Sequence, residues 1–170
     1  MENVKSTSQI FSRIAGILLF VIIIGAVAAV ALSAAFLPTV KIGDDSVSPY
    51  KSGDLVLCLK SGEYKQGDIV AIRLDDEIIV KRIAAVSGQW VDMDPDGNFY
   101  INNKSLREPH TSNIGQGTVT VKLPCQVPED SVFVLSDDRA FDNDSRSASV
   151  GCVSLEQITG RILFRLWSTK

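Results

Sequence analysis

The chain has 170 residues and a formal net charge of −3, from 17 lysines and arginines against 20 aspartates and glutamates. This length suits one domain of ordinary size with a short additional segment. The slight negative charge, without basic clusters, argues against nucleic acid as a partner. One histidine and three widely spaced cysteines (Cys58, Cys125 and Cys152) give no zinc-binding constellation. Phosphate-binding and calcium-binding loops are also missing from the sequence, so we expect neither a metal nor a cofactor.

An uncharged and mainly aliphatic stretch occupies residues 14–37. As a helix with a rise of ~1.5 Å per residue, it is long enough to cross a hydrocarbon core of ~30 Å. Lys5 and Arg13 precede this stretch. The positive-inside rule therefore predicts that residues 1–13 are cytoplasmic and that residues 38–170 lie outside the plasma membrane.

The small residues at positions 31–35 also fit the cleavage site of a secretory signal peptide. The apolar region of such a peptide is usually only ~7–15 residues long, which is much shorter than the stretch found here. The stretch also has no polar face that would keep it on the membrane surface. We therefore predict a retained, single-pass anchor with the lipid bilayer as its partner.

Residues 38–170 combine short strand signals with many turns. Asp75-Asp76 and residues 94–98 are turn signals inside two predicted hairpins, and residues 43–54 and 102–116 are loop-like. One helical turn is expected at residues 155–158. Strands are predicted at residues 40–42, 55–59, 69–74, 78–86, 91–101 (as a hairpin), 132–135 and 162–167, and residues 118–123 alternate weakly. Since no long amphipathic helix follows the anchor, the fold class is an all-β domain behind one transmembrane helix.

A lysine interrupts the apolar strand at residues 77–86. With a two-residue period, Ile79, Lys81 and Ile83 share one face. An ammonium group between two isoleucines either reaches water along its stem or is desolvated, which lowers the lysine pKa towards neutrality. A neutral lysine can act as the general base for a serine. The alternative is a lysine that protects an edge strand from aggregation.

Other candidate catalytic residues are few. His110, the only histidine, lies in a polar loop and is interpreted as a surface residue. Ser46, Ser48 and Ser52 lie in the turn-rich loop at residues 43–54, and they are candidate nucleophiles on turn geometry alone. A Ser–Lys dyad needs the hydroxyl within hydrogen-bond reach of a desolvated amine, and backbone N–H groups that face the oxyanion.

Several segments match, in order, the motifs of one protease family. Residues 46–50 (S-V-S-P-Y) and 53–54 (G-D) resemble a serine box, S-M-x-P-T, that is followed by G-D. Residues 80–89 (V-K-R-I-A-A-V-S-G-Q) resemble a lysine box, V-K-R-V-I-G-x-P-G-D. Residues 136–146 (S-D-D-R-A-F-D-N-D-S-R) resemble G-D-N-R-x-x-S-x-D-S-R. Shorter matches lie at residues 67–70, 99–102 and 160–167.

In these motifs the chain resembles the bacterial type I signal peptidases, which are membrane-anchored Ser–Lys proteases. The resemblance implies that Ser46 is the nucleophile, that its N–H is one oxyanion donor, and that Lys81 is the general base. It also implies that Asp144 and Arg146 form an ion pair that supports the site, and that Pro49 fixes the turn after the serine.

The same resemblance implies the substrate and the location. The substrates would be the signal peptides of exported pre-proteins, bound as extended strands and cut after small residues. The protein would then be a single-pass protein of the plasma membrane with an extracytoplasmic catalytic domain.

The serine box departs from the family pattern in its spacing. Between Pro49 and Gly53 the chain is one residue shorter than the usual box. If the box is aligned without a gap from Gly53, then Asp45 rather than Ser46 occupies the nucleophile position. An aspartate there could not form the ester intermediate of the family.

Asp142 stands where the family commonly has a serine hydroxyl near the lysine. A carboxylate close to Lys81 would raise the lysine pKa and hold the proton, which opposes its use as a base. These departures leave two alternatives open. One is a degenerate homologue that acts as a chaperone or scaffold in surface-protein or pilus assembly, and the other is a tethered structural domain.

Overall fold

The computed structural model describes residues 2–43, 47–115 and 117–168. The chain forms two compact units, one ending at Phe36 and the other beginning at Leu37. The first is a single helix, α1 (Glu2–Phe36), which contains an apolar span, Arg13–Ala34, that is long enough to cross a membrane. The helix thus begins earlier than the predicted anchor, because its sequence has no proline or glycine before Gly16. Pro38 disfavours the helical conformation at the preceding residue, and α1 ends just before that point.

The second unit is a β domain, as the sequence predicts. Its described residues form two antiparallel sheets and one turn of 3₁₀ helix at Leu155–Gln157. The strands are β1 (Thr39–Lys41), β2 (Leu55–Leu59), β3 (Ile69–Leu74), β4 (Glu77–Val86), β5 (Trp90–Met93), β6 (Phe99–Ile101), β7 (Lys104–Ser105), β8 (Cys125–Gln126), β9 (Ser131–Leu135), β10 (Val153–Ser154) and β11 (Ile158–Trp167).

The longer sheet places β4 in its interior. Its strand order is β1-β2-β11-β3-β4-β9-β10, and the second sheet has the order β7-β6-β5-β8. Lys81 is opposite Val70 of β3, and Arg82 is opposite Leu135 of β9. Both edges of β4 are therefore paired, and the interpretation of Lys81 as protection for an edge strand is wrong.

The buried apolar residues form three clusters. Val80 belongs to the first cluster, whereas Ile79 and Ile83 belong to the second, as the predicted alternation of β4 requires. The third cluster joins the two sheets and contains Val91 of β5 and Phe133 of β9. Lys81 thus lies between two isoleucines that are both in the core.

The predicted strands agree with the observed ones where the apolar pattern is long enough. The predictions at residues 55–59 and 69–74 coincide with β2 and β3. The weak alternation at residues 118–123 does not correspond to a strand, because the N–H groups of Thr120 and Val121 both donate to the Arg146 carbonyl instead of to a neighbouring strand. The two-residue strands β7, β8 and β10 are too short to give a pattern.

Candidate active site

The Lys81 side chain is buried inside the β domain, with only 1% of the residue exposed. Its Nζ donates a hydrogen bond of 2.9 Å to the hydroxyl of Ser136, the residue that follows β9. A hydroxyl is a neutral partner and therefore adds no negative charge that would hold a proton on the amine. Lys81 thus lies in the interior of the domain, with a hydroxyl within hydrogen-bond reach of its amine.

A buried ion pair supports Ser136 from behind. Both carboxylate oxygens of Asp144 accept hydrogen bonds from the Arg146 guanidinium at 2.9 Å. Asp144 also accepts a hydrogen bond from the Ser136 N–H, again at 2.9 Å. Arg146 is held in turn by the carbonyls of Arg139 and Phe141. The pair thereby fixes the backbone that carries the hydroxyl next to Lys81.

Two further ion pairs surround this arrangement. Arg82 forms two hydrogen bonds of 2.8 Å with the carboxylate of Asp137. Arg139 forms an ion pair with Glu108, and its guanidinium lies 5.0 Å from the centre of the Phe99 ring. Burial raises the pKa of Glu108, although the charge of Arg139 opposes this change. Each of these four charged side chains thus has a counter-ion within the site.

The predicted nucleophile, Ser46, and the alternative, Asp45, lie outside the described residues. The turn-rich loop at residues 43–54, here called the serine loop, begins beside β4, because the Gly43 N–H donates to the Ile78 carbonyl at 3.1 Å. A Cβ at position 43 would lie 2.9 Å from that carbonyl oxygen, so the close approach requires glycine. Further along the serine loop, Val47 is completely buried in the first apolar cluster. Gly43 and Val47 are therefore both fixed near β4, the strand that carries Lys81.

Pro49 lies in the turn that follows, where its carbonyl accepts a hydrogen bond from Arg165 at 3.1 Å. The same guanidinium forms an ion pair of 3.0 Å with Asp54, which also accepts from the Lys51 N–H. Desolvation would raise the pKa of Asp54, but the hydrogen bonds from Arg165 and Lys51 outweigh it and hold the pKa below its ordinary value. An ionised Asp54 thus ties the serine loop to β11.

Asp142 is exposed, and its carboxylate accepts a hydrogen bond from the Thr118 N–H at 2.9 Å. Gly117 packs so closely here that a Cβ at this position would lie 2.6 Å from the Asp142 carboxylate. Among the described residues, the hydroxyl that accepts a hydrogen bond from Lys81 belongs to Ser136. Asp142 therefore belongs to the contact between the loop after β7 and the segment after β9.

Ser136 is a site residue that sequence reasoning overlooked. It occupies the position where the matched motif has glycine, and a departure from glycine to serine was the available signal. The strand register was the missing information, because Leu135 is opposite Arg82, one residue from the lysine. Only this long-range pairing brings Ser136 to the Lys81 amine.

The three cysteines are free thiols. Burial raises the pKa of both Cys58 and Cys152 to about 11. Among the described residues, no three His, Cys, Asp or Glu side chains converge in a way that could hold a metal ion.

A family model described as signal peptidase, peptidase S26, matches residues 13–167. A signal peptidase I of Bacillus licheniformis is 37% identical over 112 residues, which cover 61% of this chain and 59% of that protein. The signal peptidase I S of Bacillus subtilis strain 168 is 35% identical over 111 residues, with the same two shares. The match thus spans about 59% of the length of these relatives.

A longer match is to the signal peptidase IB of Staphylococcus aureus strain N315. It is 28% identical over 169 residues and covers 81% of this chain and 87% of that protein. Among solved structures, a signal peptidase I from Enterococcus faecalis V583 superposes with a TM-score of 0.50 at 26% sequence identity. That superposition covers 60% of this chain and 97% of the solved chain.

Proposed function

Because the chain belongs to the signal peptidase family, peptidase S26, we propose that it is a membrane-anchored serine endopeptidase that removes signal peptides from exported pre-proteins after small residues. The observation that carries this proposal is the buried Lys81 amine, which is hydrogen-bonded to the neutral hydroxyl of Ser136. A buried lysine with such a partner suits a general base better than a structural charge.

In the proposed mechanism, neutral Lys81 takes the proton of Ser46 while the serine oxygen attacks the scissile carbonyl. The Ser46 N–H is one donor to the resulting oxyanion. The amine of the leaving peptide departs with a proton from Lys81, and an acyl-enzyme ester remains on Ser46. Lys81 then removes a proton from water, which attacks the ester and releases the signal peptide.

The other predicted site residues are proposed to support Ser46 and Lys81. Asp144 and Arg146 hold the Ser136 backbone, so their proposed role is to keep the Lys81 amine in position. Pro49 belongs to the turn by which the serine loop returns to the sheet. Asp142 is proposed to fix the loop at Thr118 rather than to act on the lysine.

The apolar span of α1 is the proposed anchor, with the N-terminus cytoplasmic and the β domain extracytoplasmic. Signal peptides are themselves apolar segments that enter the bilayer. An anchor in the same membrane would keep the peptidase and its substrate in one plane, and the lipid bilayer is thus its proposed second partner.

Cleavage of a pre-protein with an Ala-x-Ala site by the full-length chain in detergent micelles tests the proposal. We expect Lys81→Met to reduce kcat/KM by at least about 100-fold, since a positioned general base contributes roughly 10²–10⁴-fold. We expect Ser46→Ala to abolish cleavage and Asp45→Ala to retain it. Lys60→Met, at an exposed lysine, is the matched control and should cleave normally.

Three outcomes would overturn the proposal. If the unaltered chain fails to cut the pre-protein, the degenerate chaperone or scaffold becomes the better account. If Lys81→Met cleaves normally, the lysine is structural. If Asp45→Ala abolishes cleavage while Ser46→Ala does not, the serine box has been aligned in the wrong register.

A further inference from the structure

A cavity of about 820 Å³ lies between the two sheets, beside the end of β9. Its lining includes Ile83 and Ala84 of β4 and the segment at residues 104–111. Ser136 also lines it. Since the Ser136 hydroxyl is 2.9 Å from Lys81 Nζ, one residue of the cavity wall is in direct contact with the proposed base.

The serine loop and the cavity flank Lys81 at opposite ends of the same strand. The loop entrance pairs with Ile78, three residues before the lysine, whereas the cavity is lined by Arg82 to Ala84, directly after it. A peptide that runs along β4 past Lys81 would extend from the loop entrance at Ile78 to this cavity at Arg82.

The two ends of the strand differ in polarity. Next to the serine loop lie the apolar side chains of Val47, Tyr50 and Ile78, all in or against the first cluster. These suit the small apolar side chains that precede the cut. The cavity lining instead mixes apolar side chains with charged ones, and the charged ones suit the polar start of an exported protein.

The charges of the cavity are unequally compensated. Arg82 is paired with Asp137, and Glu108 is paired with Arg139. Lys104 and Arg107 are exposed, and within the described part of the chain neither has an ion-pair partner. The cavity lining therefore carries two uncompensated positive charges.

We propose that this cavity binds the residues that follow the scissile bond, and that Lys104 and Arg107 favour acidic side chains among them. The inference rests on the proposed function, because it describes the leaving-peptide side of the same site. The expected substrate is thus a pre-protein whose first exported residues include aspartate or glutamate.

Two peptides with identical Ala-x-Ala halves test this inference, one with aspartate and the other with lysine at the second and third positions after the cut. We expect the full-length chain in micelles to cleave the aspartate peptide about two- to fivefold better in kcat/KM, as for exposed ion pairs. The preference should disappear in Lys104→Gln/Arg107→Gln and should weaken at high salt.

The matched control is Lys60→Gln/Arg73→Gln, which removes two exposed positive charges that do not line the cavity. This variant should keep the preference of the unaltered chain. Equal cleavage of both peptides, or a preference that survives in Lys104→Gln/Arg107→Gln, would overturn the cavity assignment alone. Failure of the unaltered chain to cut either peptide would instead refute the proposed function.

Discussion

The hydrogen bond from Lys81 to Ser136 fixes the position of a buried amine. Its partner, the Ser136 hydroxyl, is only 2% exposed as a residue and belongs to a backbone that Asp144 fixes. A buried amine without such a partner would lose its orientation towards the nucleophile. Ser136 is therefore proposed as a positioning residue, which acts on the reaction through Lys81.

Ser136→Ala should lower kcat about tenfold and leave KM nearly unchanged. The loss of one buried hydrogen bond costs about 1–3 kcal/mol, and a tenfold change in rate corresponds to about 1.4 kcal/mol. Ser136→Thr, which keeps a hydroxyl, should retain most of the rate. The measurement is steady-state cleavage across pH by the full-length chain.

Ser145→Ala is the matched control, since Ser145 is also a buried serine but its hydroxyl accepts from the Val134 N–H. This variant should lower stability without changing the pH profile of kcat. If Ser136→Ala and Ser145→Ala behave alike in kcat and in pH profile, Ser136 has only a structural role.

Among the elements, the segment after β9 contributes most to the site. It carries Ser136, Arg139, Asp144 and Arg146, all of them buried, and it is covered by the loop that includes Gly117. A Cβ at position 117 would lie 2.4 Å from the Arg139 carbonyl, so this covering contact depends on a glycine. The segment is irregular, and its conformation depends on the buried Asp144–Arg146 pair.

Asp144→Asn should reduce the free energy of unfolding by about 3–5 kcal/mol, because it leaves the Arg146 charge buried without its counter-ion. Asp68→Asn is the matched control, since Asp68 forms a 3.5 Å pair with the more exposed Arg161. Asp68→Asn should reduce the free energy of unfolding by less than about 1 kcal/mol. Urea unfolding of both variants provides the comparison, and equal effects would contradict the supporting role of Asp144.

The elements also show what the sequence could and could not predict. Strand β4 and its buried lysine followed from the alternation of Ile79, Lys81 and Ile83, because a strand imposes a strict two-residue period. The proximity of Ser136 to Lys81 did not follow, since 55 residues separate them and only the β4–β9 register brings them together. The same holds for the cavity, whose walls come from both sheets.

The β domain as a whole places one amine in an apolar interior. Lys81 has strands on both sides, isoleucines above and below it along β4, and compensated ion pairs around it. The same interior raises the pKa of the Cys58 thiol to about 11, which shows how strongly burial disfavours charge in this fold. The proposed reaction depends on the same effect at Lys81, where the disfavoured form is the ammonium.

The most direct test of this account is an NMR titration of lysine side chains in the full-length chain in micelles, with the Lys81 signal assigned by its loss in Lys81→Arg. An ordinary lysine keeps its proton up to a pH of ~10.4. The account predicts that the Lys81 amine is mostly neutral at pH 8, and that kcat/KM rises with pH as this amine loses its proton. A Lys81 ammonium that persists above pH 10 in an active enzyme would contradict it.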